Sequence, residues 1–212
     1  CALPISKAKV QIKPGKYRTY FAPAAFGELA SMMSWKALSA SAWKQGHSPF
    51  KKLADGERKF SSIFTVRENF SMGLTPRFNE LGEVAPSSAS LIEKGELKEL
   101  LVSSRTAKEF GLKQNAANAY EAPRALDIAS GSLDERDALR ELGTGLYLSN
   151  LHYLNWSDPV SARVTGMTRY ACFWVEGGEI VGPIQDLRWD ESLYDAFGSK
   201  LINLTSNVEI DP

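Results

Sequence analysis

Hydrophobic and polar positions alternate in short blocks along most of this chain, and one stretch departs from that habit. Between Ala24 and Lys44, Phe26, Leu29, Met33, Ala37 and Ala40 recur at helical spacing, while Met32, Trp35, Leu38 and Trp43 widen the apolar arc. That spacing predicts one long helix, buried on most sides. Its Met and Trp side chains are read as core packing rather than as a ligand pocket, because large apolar residues fill interiors. Before it, Tyr17 to Phe21 reads as a short strand ended by Pro23. After it, Gln45 to Arg58 turns polar around Gly46, Pro49 and Gly56 and reads as a surface loop.

The remaining blocks have the period of strands. Ser61 to Val66 alternates, and Ser87 to Glu93 with Glu96 to Ser103 forms a hairpin across Lys94-Gly95. A second hairpin joins Tyr170 to Glu176 and Glu179 to Val181 through Gly177-Gly178, a pair that takes the positive φ of a type I′ turn without steric cost. Ser104 to Phe110 is a short helix stopped by Gly111. Ser132 with Glu135 makes a capping box for a helix that Gly143 closes, and Ser192 to Phe197 is a last short helix ending at Gly198. The sum is an α+β fold: a largely antiparallel β-sheet, one long buried helix and several short helices, in a single domain over 1–212.

Composition narrows the function classes. The 212 residues are 43% hydrophobic and 24% charged, with 25 Lys plus Arg against 25 Asp plus Glu. With no net charge there is no broad field directed at nucleic acid or anionic lipid. The longest strongly apolar run, Tyr170 to Val175, is far shorter than the ~20 residues of a spanning helix. Two cysteines, Cys1 and Cys172, make neither a disulfide framework nor a CxxC motif, and a reducing cytoplasm is the expected setting. The leading Cys1 opens one catalytic alternative, a hydrolase in which an N-terminal thiol acts as nucleophile with its own amine as base.

Other chemistry is sparse. His47 and His152 stand alone, no GxSxG elbow is present, and Gly143-Thr144-Gly145 lacks the third Gly of a dinucleotide loop. Glu93, Glu96, Glu176 and Glu179 flank the two turns and are read as solvated. Tyr170, Phe173, Trp174 and Trp189 lack the interleaved basic residues of a base-stacking platform and are read as core.

The order of the motifs is more specific than any one of them. Gly73 to Phe78, Leu91-Ile92-Glu93-Lys94-Gly95-Glu96-Leu97-Lys98, the Ser103-to-Gly111 helix, Gly143-Thr144-Gly145-Leu146-Tyr147-Leu148 and Phe173-Trp174-Val175-Glu176-Gly177-Gly178-Glu179-Ile180 follow one another as in the TldD/PmbA family. The resemblance covers roughly residues 17 to 205 and is to the C-terminal half of that family, once described as modulators of DNA gyrase. It implies a cytoplasmic, peptide-processing metalloprotease built from a zinc-bearing and a zinc-free subunit, and a longer chain with a separate N-terminal domain. In the catalytic type a helix after a short strand carries His-Glu-x-x-x-His, and a later Cys completes the zinc site. Setting Gly27 on the family's preceding Gly puts Ser31, Met32 and Lys36 at those three positions, and Cys172 does not occupy that of the Cys.

Ser and protonated Lys are poor zinc ligands, and Met cannot take a proton from bound water. The resemblance therefore implies the zinc-free TldE branch: no cofactor in this chain, zinc in the relative, and no catalytic residue. The implied partners are a TldD-like catalytic subunit or a second copy of this chain, together with an extended peptide held at a sheet edge. Arg77 and Asn115 are the candidate groove contacts, weighed against a role as turn-stabilising polar residues. A purely structural homodimer is the remaining alternative.

Overall fold

In a computed structural model that describes residues 6–210, β1 (Thr19–Phe21) leads through Ala22 into α1 (Pro23–Ser31), with Pro at the first helical position. The predicted long helix is not continuous. A 3₁₀ turn over Met32–Ser34 follows α1, Trp35 and Lys36 leave helical geometry with Lys36 at φ 66°, and a new helix, α2 (Ala40–Lys44), starts at Ser39. Ser39 caps it by accepting the Ala42 N–H, and the Ala40 N–H donates to Leu101 O across the molecule (3.0 Å). The apolar residues were too many for one helix face. Bending the chain buries Met32, Met33, Ala37, Leu38 and Ala40 together while Trp35 stays half exposed.

The predicted loop over Gln45 to Arg58 contains α3 (Lys51–Ala54). The next strand starts later than its alternation suggested: residues 61–64 turn, and β2 is Val66–Asn69. Phe60 and Phe64 contribute instead to an aromatic cluster with Phe50, Tyr194 and Phe197, in which Phe64 and Phe197 stack at 4.5 Å. The first hairpin forms as β3 (Ser88–Glu93) and a two-residue β4 (Glu96–Leu97). Gly95 there has φ 80°, and a Cβ on it would lie 2.3 Å from Phe60 O, so the turn needs glycine twice over.

Next come α4 (Ser104–Phe110), capped by Ser103 and ended at Gly111, and β5 (Leu126–Ile128). The capping box at Ser132 is replaced by Asp134, which caps a 3₁₀ turn leading into α5 (Ala138–Leu142). The strands β6 (Gly145–Leu148), β7 (Asn150–Asp158), β8 (Arg163–Arg169), β9 (Phe173–Glu176), β10 (Glu179–Pro183) and β11 (Arg188–Ser192) complete the chain, apart from one wide turn of π type over Asp195–Ser199. They make three sheets, ordered β1-β6-β9-β10, β11-β8-β7 and β4-β3-β2-β5. Among the described residues, pairings between these strands are antiparallel except β1 with β6. One large apolar cluster joins α1, the bend after it and strands of all three sheets.

Phe173 is buried and Trp174 and Trp189 pack against that cluster, but Tyr170 is 71% exposed at φ 60°, with the Arg169 guanidinium over its ring. The turn carboxylate Glu96 is only half-exposed, and its bonds to Lys59 and Lys98 hold its pKa below the ordinary range.

A buried carboxylate ties the bend to the N-terminus of α4. Glu121 is 2% exposed; its Oε2 accepts Ser39 Oγ–H (2.6 Å) and Ser41 N–H (2.8 Å), and its Oε1 accepts Ser103 N–H and Oγ–H (2.9 Å each). Burial alone would raise its pKa, but the Ser39 and Thr106 hydroxyls and the two N–H groups outweigh it, and the carboxyl lies below its ordinary 4.5. The stabilisation is therefore complete above pH 4.5 and is lost as pH falls through the lower folded value. Glu121→Gln is expected to cost about 1–3 kcal/mol at pH 7. The gap from wild type should shrink at pH 3, and urea denaturation at both pH values checks both expectations.

Candidate functional site

The β1–α1 unit combines an open sheet edge with the helix on which the resemblance places a metal. Leu146 N–H donates to Arg18 O and Ala22 N–H to Leu148 O, both at 2.9 Å, with Thr19, Tyr20 and Phe21 in register with Leu146, Tyr147 and Leu148. In a parallel pair this register turns the main-chain groups of Arg18, Tyr20 and Ala22 towards β6 and those of Thr19 and Phe21 away from it. Among the described residues, neither Thr19 nor Phe21 has a main-chain partner on that outer side. Phe21 packs its ring on the main core, and Tyr20 projects from the opposite face beside Tyr147, ring centroids 5.4 Å apart. Burial first, then the charges of Glu135 and other neighbours, pushes the Tyr20 hydroxyl up to about 12, so it stays a neutral phenol at physiological pH.

The three positions set by the resemblance supply nothing that a metal would take. Ser31 Oγ–H donates to Glu28 O in its own last turn (2.7 Å), and Met32 is 1% exposed in the core. Lys36 lies beyond the helix, past the 3₁₀ turn, and is exposed. Among the described residues no group of three or more His, Cys, Asp or Glu side chains converges. His47 is exposed after α2, whereas His152 sits on β7 against the Tyr153 ring with Nδ1 buried and unpaired. Cys172 is buried, its thiol directed at Arg169 O (3.2 Å), and Cys1 lies outside the described residues.

The two candidate groove residues each brace their own turn. Arg77 is exposed and donates through Nε and Nη2 to Ala85 O, closing the loop between them. Asn115 accepts the Val102 N–H (2.8 Å) and donates to Leu100 O and Glu99. An apolar cleft of about 610 Å³ opens beside that loop, lined by Pro76, Phe78, Tyr120 and Arg124 among others. Arg124 donates to Phe78 O and Ala116 O and lies over the Phe70 ring, a strut that no sequence motif marked. The open edge of β1 also went unread, because edge position depends on strand order.

Comparison with known proteins places this geometry. A family model described as the PmbA/TldA metallopeptidase C-terminal domain matches residues 14–211. The chain belongs to this family. It is 28% identical over 209 residues to the Metalloprotease PmbA of Escherichia coli O157:H7, covering 94% of this chain and 44% of that protein. It therefore spans less than half the length of the curated relative it matches.

Its fold is similar to that of a candidate modulator of DNA gyrase from Thermotoga maritima, with a TM-score of 0.81 at 20% identity over 96% of this chain and 47% of the other. It is also similar to that of TldE from Thermococcus kodakarensis, with a TM-score of 0.74 at 17% identity over 93% and 49%. The family is one of metallopeptidases, and the donor set at α1 does not fit its metal. A hydroxyl committed to its own helix, a core thioether and an ammonium past the helix end provide no convergent ligands.

The backbone makes the misfit deeper than three side chains. In the triple variant Ser31→His, Met32→Glu, Lys36→His the last imidazole would still start from the left-handed residue outside α1. Metal analysis of that variant is expected to find far less than one zinc per chain; stoichiometric zinc would show that the helix extends on demand.

Proposed function

We propose that this chain is a zinc-free, non-catalytic component of a peptide-processing metalloprotease, holding extended peptide segments that a zinc-bearing, TldD-like relative cuts. The observation that carries the reading is the donor set Ser31, Met32 and Lys36, set on a helix that stops at Ser31. The open edge of β1 supports the binding half. Two residues there present outward N–H and C=O groups, and an extended peptide that adds a strand makes main-chain hydrogen bonds whatever its sequence.

In this reading Arg77 and Asn115 act by holding the turns at Ala85 and at Leu100 to Val102. The partner is a TldD-like subunit or a second copy, in the cytoplasm, with this chain serving as the C-terminal domain of the assembly's non-catalytic subunit. Among the described residues no helix is long and apolar enough to cross a membrane.

The test uses fluorogenic, unstructured peptides with the purified chain. Binding without cleavage is expected, and Thr19→Pro, which removes one outward N–H but no bond to β6, should weaken binding at least about tenfold while leaving the circular dichroism unchanged. Chelator-sensitive cleavage by the chain alone would overturn the reading.

A further inference from the structure

The opposite edge of the same sheet is β10, and it is occupied by the chain itself. Residues 7–12 run beside it: Val10 forms a parallel bridge with Ile184, the Val10 N–H donates to Pro183 O (2.7 Å), and Lys7 Nζ donates to Ile180 O (3.1 Å). Just past the end of β10 the side chain of Gln185 stands in for a peptide group. Its Oε1 accepts the Ile12 N–H (3.1 Å) and its Nε2 donates to Ile12 O (3.0 Å). Gly182 lets the segment lie flush, since a Cβ there would come within 2.9 Å of Ala8 O. The edge is thus shaped to receive a main chain, with a missing side chain where the backbones approach and a side-chain amide that continues the ladder.

The segment is held lightly by comparison. Lys7, Ala8, Lys9 and Gln11 are exposed, and only Val10 and Ile12 are half-buried. A segment with so little buried apolar surface opens at a small fraction of the cost of global unfolding. The family model begins at residue 14, so Gly182 and Gln185 lie inside the matched domain and residues 7–12 lie before it.

We propose that the β10 edge is a second peptide-binding site, which takes an extended peptide in parallel orientation with apolar side chains at alternate positions, and that residues 7–12 are its exchangeable internal occupant. Recognition runs through Pro183 O and the Gln185 amide, so it reads main chain first. The Val10 and Ile12 positions add a preference for aliphatic side chains. The inference extends the reading of the chain as a holder of extended peptides, and its test separates the two edges.

The probe is a labelled synthetic peptide with the sequence of Ser6 to Lys13, followed by fluorescence anisotropy on the full chain. A second peptide is N-methylated at its Val, which deletes the donor to Pro183 O. Saturable binding of the first peptide is expected, weakened at least about tenfold by the methyl group. Gln185→Glu should weaken it as well, since a carboxylate cannot donate to Ile12 O, and Thr19→Pro should leave it unchanged. Absent binding at millimolar peptide, or equal binding of the two peptides, would overturn the proposal. Loss of binding in Thr19→Pro would place the peptide on β1 and likewise overturn the assignment to β10.

Discussion

The run from Met32 to Ala40 has to bury more apolar side chain than one face of a helix offers, and the rest of the structure follows from how the chain meets that demand. It stops α1 at Ser31, turns through a left-handed Lys36 and restarts at Ser39, so that Met32, Met33, Ala37 and Leu38 all reach the core. A non-glycine residue in that conformation costs of order 1–3 kcal/mol. Burying Met33 or Leu38 alone contributes about as much, at roughly 1.5–3 kcal/mol each. Glu121 then fixes the bend, because its carboxylate bonds the Ser39 cap and the Ser41 N–H on one side and Ser103 on the other. The same bend carries position 36 out of the helix, and packing thereby removes the geometry that a metal-binding helix needs.

The sheet β1-β6-β9-β10 meets the general problem of sheet edges in two ways. Unpaired strand edges attract other strands, and proteins cover them or keep them short. Here β10 is covered by the chain's own residues 7–12, while β1 is kept to three residues and, among the described residues, has no main-chain partner on its outer side. An open edge of that length offers few hydrogen bonds, enough to align an extended segment and too few to hold it permanently.

Much of this was legible in the chain itself. Gly95 and Gly177-Gly178 announced their hairpins because positive φ is a local requirement, and Ser103 and Gly111 bracketed α4 for equally local reasons. The motif order led to the family. The long helix was misread because periodicity records which residues are buried and not whether the backbone bends to bury them. The β7–β8 hairpin escaped notice: register shifts between His152 and Asn155 and again between Trp156 and Asp158, with Tyr153 at φ 54°, break the period of two. The strut at Arg124, the clamp at Glu121 and the open edge of β1 depend on contacts between segments far apart in sequence, which no local pattern encodes.

Membership of a metallopeptidase family, together with the absence of metal ligands at Ser31, Met32 and Lys36 on a helix that stops at Ser31, carries the proposal that this domain holds peptide and leaves the chemistry to a relative. Anomalous X-ray scattering at the zinc absorption edge, from crystals of the chain grown with excess zinc, tests this most directly. The account predicts no ordered peak beside Ser31, Met32 or Lys36. A peak at a bonding distance of about 2.0–2.3 Å from side-chain atoms there would contradict it.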